Sequence, residues 1–433
     1  MPEVLSLEEN ILNPQVTSEN LVSTVFPEKV ESPISLEFAQ ELLIQHTKAI
    51  GFESISISSA LNRVLHEDII APLNIPPFNR SPLDGFVLRA ADIAKASPAN
   101  PVYIEVNQNI PAGSPSQKEV GENQAARIMT GAPIPSGADV IIKIEDVNYS
   151  GNHVEVTKAL SPFENVCFAG EDIEQGEAVL CGGEYICPAG IGILAALGID
   201  VVDVNSIPRV AIIGTGDELI SVQDELRPGK IYDSNTFSLA SYVQQIGACP
   251  VFAGTVTDDT ELIAVKILEN LKQADMVITT GGVSVGDSDL VCNALRSIGA
   301  SILFHRIDMR PGTPALGAEK DGKLIICLSG NKAAAFVTFQ LLARPAIASL
   351  MGIKACCPPV VTAVLGEHYR KTSGQRNLLR GQLSFDDCML KVNIAGKQNP
   401  GIIRSTLNCN ALIDVPANFG PLNAGTRVSI FLL

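Results

Sequence analysis

The sequence predicts a multidomain chain of α/β plus β class: a central α/β domain with a mostly parallel sheet, a β module before it and a small β-barrel or sandwich after it. Three observations carry this. Between residues 208 and 352, short apolar runs alternate with helical patterns, which means βαβ units. Residues 71–163 and 353–433 instead hold short β-branched runs broken by Pro and Gly. The 433 residues exceed one ordinary core and suggest about three domains.

Along the chain, residues 1–33 carry six glutamates against one lysine and are expected to form a flexible extension. They lack the basic start and apolar core of a signal peptide, so a cytoplasmic location is expected. Order begins at Ser35, a good N-cap, with Leu36, Ala39, Leu43 and Ile50 at near-helical spacing before Gly51. Residues 102–106, 140–144 and 154–156 are strands of an antiparallel module. Residues 184–205 combine an apolar Ala/Leu/Gly helix with a valine-rich strand. Strands at 210–213, 250–256, 276–279, 302–305 and 324–328 then alternate with helices at 236–246, 260–272, 289–298 and 333–351.

Composition excludes some functions. A net charge of −16, only 5% aromatic residues and no tryptophan argue against a nucleic-acid partner. The most apolar stretch, 186–199, is too short and too interrupted by Pro and Gly to span a membrane. Ten cysteines without a Cys-x-x-Cys pair are expected to be core thiols of a reduced protein.

The chemistry is expected in the loops that follow the parallel strands, because such loops gather at one sheet edge, where α/β proteins bind ligands. These are Gly214-Thr215-Gly216-Asp217-Glu218, Thr257-Asp258-Asp259, the small-residue run 279–289, Leu328-Ser329-Gly330-Asn331, and the turn Met309-Arg310-Pro311-Gly312-Thr313-Pro314. Each alone has an ordinary reading as a tight turn, a helix cap or a surface charge; no Rossmann or Walker signature is present. Together they offer three carboxylates, Glu218, Asp258 and Asp289, suited to Mg²⁺. Gly281 and Gly282 let backbone N–H groups approach an anion, and Arg306 and Arg310 supply charged donors for a tetrahedral oxyanion. That set matches phosphoanhydride chemistry. In the β module, Asp84 lies in an Asp-Gly turn, and Thr130 lies in the stretch Arg127-Ile128-Met129-Thr130-Gly131-Ala132-Pro133-Ile134-Pro135.

These stretches, with Leu83-Asp84-Gly85-Phe86, Ala169-Gly170-Glu171-Asp172-Ile173 and Ile231-Tyr232-Asp233-Ser234-Asn235, resemble the MoeA type of molybdopterin molybdenumtransferase, also found as the E domain of gephyrin-like proteins. The resemblance covers roughly residues 34–433. It implies a homodimer with a shared cleft, in which molybdate is inserted into adenylated molybdopterin and AMP leaves with Mg²⁺ assisting. It implies metal- or nucleotide-side acids at Glu218, Asp258 and Asp289, and oxyanion or phosphate donors at Ser284, Arg306 and Arg310. Thr215, Gly216, Asp217, Gly281, Gly282, Gly312, Ser329, Gly330, Asn331 and Lys332 would line the ligand, and Asp84 and Thr130 would reach in from the other subunit. The implied domains are an elongated α+β domain (34–73 and 164–206) interrupted by the β module (74–163), a three-layer molybdopterin-binding α/β domain (207–352) and a C-terminal β-barrel (353–433).

The chain departs from the family pattern at two loops. Many members read Lys-Pro-Gly-Lys-Pro where Arg310-Pro311-Gly312-Thr313-Pro314 stands, and Leu-Pro-Gly-Asn-Pro where Leu328-Ser329-Gly330-Asn331-Lys332 stands. Lys332 is therefore expected to replace a missing cation; the competing expectation is a solvent-facing lysine. The altered loops also leave open a pterin-binding or scaffold paralogue with weak catalysis. A pterin-adenylating enzyme is disfavoured by the β module.

Overall fold

The computed structural model describes residues 32–283, 289–386 and 389–433. In the central domain, six strands lie in the spatial order Cys249–Val256, Arg209–Thr215, Met276–Thr280, Lys323–Leu328, Leu316–Lys320, Ser301–His305. Five run the same way; only Leu316–Lys320 opposes them, antiparallel to both neighbours. Alternate residues of the central strands enter opposite cores, which makes the domain three-layered. Val210, Ile212, Met276, Ile278 and Ile326 face one cluster, while Ala211, Ile213, Val277, Ile325 and Cys327 face the other.

Leu316–Lys320 is absent from the expected strands. It forms a hairpin with Lys323–Leu328 across Asp321-Gly322, both at positive φ, as a tight two-residue hairpin turn requires.

The expected long helix at 333–351 is interrupted. It runs as Lys332–Thr338, a wider π turn at Phe339–Ala343, and Arg344–Leu350. Pro345 has no N–H to offer Leu341 O, four residues back. Instead, Gln40 Nε2 donates to that buried carbonyl at 2.8 Å. Gln40→Ala leaves the carbonyl orphaned, so the variant is expected to lose about 1–3 kcal/mol, read by urea denaturation; an unchanged midpoint would show that another donor takes over. By length and composition the Lys332–Leu350 helix is apolar enough to cross a membrane, but 89% of its apolar window is buried inside the fold.

Gln40 belongs to helix Leu36–Gln45, capped by Ser35 Oγ, which accepts from Phe38 N. This helix packs through Leu36, Ala39 and Leu43 into the central α/β core. The helix, expected in the elongated domain, is thus anchored on the central one. The rest of that unit has its own small core of Ala60, Leu65, Ile186, Leu194, Val202 and Val204.

The β module is a six-stranded sheet whose Gly85–Leu88 strand is wholly buried between two apolar clusters. It is not purely antiparallel, since Val102–Ile110 pairs parallel with Gln124–Ile128. The C-terminal barrel closes through five strands: Arg376–Asp386, Met389–Ile394, Val360–Leu365, Arg427–Leu432 and Ala411–Val415, which returns to the first. Met309–Arg310 adds a short parallel strand to it and so ties the barrel to the central domain.

The cysteines are not mainly core thiols. Of the nine described, only Cys292 and Cys327 are buried; the others occupy positions such as the exposed N-cap at Cys187 and the edge strand at Cys249. Cys388 lies outside the described residues.

Candidate active site

The order of the parallel strands reverses around Arg209–Thr215, whose two neighbours are Cys249–Val256 and Met276–Thr280. A crevice opens beyond the carboxyl ends of strands at such a point. Three loops meet there, backbone on backbone. Gly281 has φ +103°, and a Cβ placed on it would lie 2.1 Å from Thr215 O; one on Gly330 would lie 3.3 Å from Gly281 Cα. Asn235 clamps two of these loops, with Nδ2 donating to Thr280 Oγ1 and Gly330 O, each at 2.9 Å. Thr215 Oγ1 and Ser234 Oγ are buried there with no hydrogen-bond partner among the described residues.

One side of the crevice, a cavity of about 450 Å³, holds Glu218, Asp258 and Lys332 around Gly216, Gly281 and Gly282. Asp258 and Asp259 play different parts. Asp259 caps helix Thr260–Leu271 by accepting from Leu262 N at 2.9 Å, while Asp258 lines the cavity. Asp258 N donates to Asp217 Oδ1 at 3.1 Å, which draws Asp217 into the same acidic corner. Burial pushes the Asp258 carboxyl above its ordinary value, and repulsion from Asp217 and Glu218 adds to this.

Asp289, the third expected carboxylate, does not line this cavity. No group of three His, Cys, Asp or Glu side chains suited to a metal occurs among the described residues. Asp289 caps helix Leu290–Ser297 through Cys292 N at 2.9 Å, and its other oxygen meets His305 Nε2 at 3.0 Å. Arg306 directly follows strand Ser301–His305. Its backbone joins Ile34 and Ala315, its Nε is buried without a partner among the described residues, and it lines neither of the two cavities of this crevice. Ser284 lies outside the described residues.

A second hollow of about 1210 Å³ adjoins the first through Pro314, Ser329 and Asn331. Arg310, Gly312 and Thr313 line it from the central domain; His368, Arg370 and Lys371 line it from the barrel. Arg310 Nε donates to Gln375 Oε1 at 2.5 Å. Sequence reasoning missed the barrel wall, where the only local signal is the turn-rich basic run Arg370-Lys371-Thr372-Ser373-Gly374. It also missed Arg380, which is fully buried. Arg380 Nε donates to Ser405 Oγ at 2.9 Å and Nη2 to Lys397 O at 3.3 Å, and burial pushes its guanidinium down to about 10. These bonds steady the 397–400 loop, whose Pro400 O accepts from Ala333 N at 2.8 Å beside the crevice.

Asp84 and Thr130 stand apart. Asp84 Oδ1 accepts from Thr130 N at 2.7 Å and from Thr130 Oγ1 at 2.8 Å, which holds its exposed carboxyl below its ordinary value. No residue of the β module lines either cavity.

The chain is matched by "MoeA N-terminal region (domain I and II)" over residues 34–198, by "Probable molybdopterin binding domain" over 211–349, and by "MoeA C-terminal region (domain IV)" over 362–433. It is 37% identical over 401 residues to a molybdopterin molybdenumtransferase of Staphylococcus epidermidis, covering 93% of this chain and 96% of that relative. A Staphylococcus aureus relative of the same name is 34% identical over the same shares. The chain belongs to the MoeA family. A molybdopterin biosynthesis MoeA protein from Pyrococcus horikoshii shares the fold, with a TM-score of 0.80, 29% identity, and coverage of 93% of this chain and 100% of that one. In this MoeA-family chain the two altered loops face the same crevice. Thr313 turns inward, donating to Met309 O at 2.6 Å, and Lys332 points its residue into the acidic cavity without forming an ion pair among the described residues.

Proposed function

We propose that this MoeA-family transferase of molybdenum cofactor biosynthesis inserts molybdate into adenylated molybdopterin and releases AMP. The observation that carries the reading is the two-sided crevice, with the acids Glu218 and Asp258 among glycines in one cavity and Arg310, Arg370 and Lys371 in the next. An adenylated pterin carries a phosphoanhydride that can lie along such a seam, and molybdate is a tetrahedral oxyanion suited to the cationic side.

Glu218 and Asp258 present hard oxygens in one cavity, and Mg²⁺ commonly takes one or two carboxylates together with waters and phosphate oxygens, so this pair fits it. Bound there, Mg²⁺ would neutralise charge on the phosphate oxygens. The chain's own groups do the rest. Gly216, Gly281 and Gly282 keep that cavity wall free of side chains, and the buried hydroxyl of Thr215 supplies an unused donor at the floor. Arg310 and Lys332 orient the oxyanion from opposite sides. Water adds to the pterin-side phosphorus and gives up a proton to solvent, and AMP departs with the bridging oxygen. Asp84 and Thr130 complete the crevice from a second subunit of a cytoplasmic homodimer. Mixing an inactive Asp84→Asn chain with an inactive Asp258→Asn chain then restores activity, because one crevice in each mixed dimer is intact.

The test is AMP release from adenylated molybdopterin with Mg²⁺, with and without molybdate. Molybdate-dependent release supports the transferase; retention of the nucleotide without release would leave the binding or scaffold reading. Lys332→Ala is expected to raise the half-saturating molybdate concentration about tenfold, the worth of one charge-assisted contact. An unchanged value would assign Lys332 no part in holding the oxyanion.

A further inference from the structure

Away from the crevice, a cavity of about 770 Å³ lies where the central domain, the barrel and the elongated unit meet. One wall is aromatic. The Tyr242 ring sits 5.5 Å from that of Phe336 and 5.6 Å from that of Phe339, both of which are buried behind it. Tyr185 stands at the mouth, with its hydroxyl donating to Ile246 O at 3.0 Å.

The same cavity holds a cation with no counter-ion. Arg344 is partly buried, its Nη1 donates to the neutral Gln340 Oε1 at 3.1 Å, and it forms no ion pair among the described residues. Burial pushes its guanidinium below its ordinary value, so its charge is incompletely compensated. The remaining donors of its planar fork are matched to a carboxylate.

The π turn makes this arrangement. Phe339 and Arg344 are five residues apart, which the wider turn places on one face with Gln340. Single π turns inside α-helices occur frequently at functional sites.

We propose that this cavity is a second ligand site, which binds a small planar aromatic carboxylate with its ring against Tyr242 and its acid group on Arg344. The ring takes up the aromatic wall and the carboxylate supplies the missing counter-charge.

The chain contains no tryptophan, so Tyr242→Trp places a single reporter in the wall. Its emission is titrated with 1-naphthoate and with the neutral isostere 1-naphthamide. Naphthoate is expected to quench it saturably, with the amide about tenfold weaker. Adding Arg344→Gln is expected to weaken naphthoate about tenfold and leave the amide unchanged, while Arg344→Lys keeps most of the preference. Tyr185→Trp, at the exposed mouth, serves as a second reporter should the Tyr242 variant fold poorly. The proposal fails if neither reporter shows saturable quenching, or if acid and amide bind alike with Arg344 present.

Discussion

Asp258→Asn is expected to slow AMP release about 10²–10³-fold, the usual scale for losing one preorganised electrostatic group. The same variant should melt no lower than wild type in metal-free buffer. The two outcomes share one cause. Burial, with Asp217 and Glu218 nearby, raises the Asp258 carboxyl above its ordinary value. A carboxyl raised on folding binds its proton more tightly in the folded state than in the unfolded one. It therefore supports stability at acid pH and loses that support as pH rises through the carboxylate range. At neutral pH the ionised group is a local burden, and the amide removes it. A divalent cation relieves the same burden in the wild type by binding. Wild-type protein should accordingly gain thermal stability with excess MgCl₂, as any ligand specific to the folded state requires. Asp258→Asn should lose that gain. If the variant keeps its Mg²⁺-dependent stabilisation, the cation is held elsewhere and the role given to Asp258 is wrong.

The central domain was legible because its signal is local. Val210, Ile212, Met276 and Ile278 lie in short apolar runs ended by Gly or Thr, and such runs between helices admit few arrangements. The glycine loop was legible only as a close approach: the neighbour is Thr215, and the Gly281 N–H, expected to face an anion, donates to Leu328 O at 3.1 Å. What sequence reasoning missed depends on distant partners. The helix at 333–351 was expected unbroken; it is interrupted before Pro345, and the donor that makes this tolerable is Gln40, 301 residues away. Asp289 looks like a free acid until His305 and Cys292 N are seen to occupy it. The barrel wall with His368, Arg370 and Lys371 has no motif; its place in the crevice comes from the strand pairing of Met309–Arg310 with Arg376 and Asn377. The Leu316–Lys320 strand contains Gly, Ala, Glu and Lys, all poor strand formers, and only the Asp321-Gly322 turn betrays it.

Gly281→Ala should be the more damaging change for the fold, and it separates shape from charge at the crevice. Two penalties add. At φ +103° an alanine meets the left-handed cost of about 1–2 kcal/mol. Its Cβ would also fall 2.1 Å from Thr215 O and 2.7 Å from Thr215 Oγ1, where backbone must move. Thr215 ends a buried central strand, so a shift there disturbs the pairing with Met276–Thr280. A total loss of roughly 3 kcal/mol or more is expected. Gly299→Ala supplies the comparison within the same domain. It shares the positive φ, at +67°, but a Cβ there meets nothing within 4 Å, so it should cost only about 1 kcal/mol. Hydrogen exchange on the amides of Met276–Thr280 distinguishes the two, since only Gly281→Ala should loosen that strand. Equal protection in both variants would mean that the loop yields without disturbing Thr215, and the close approach would then be a convenience of packing rather than the feature that shapes the phosphate side of the crevice.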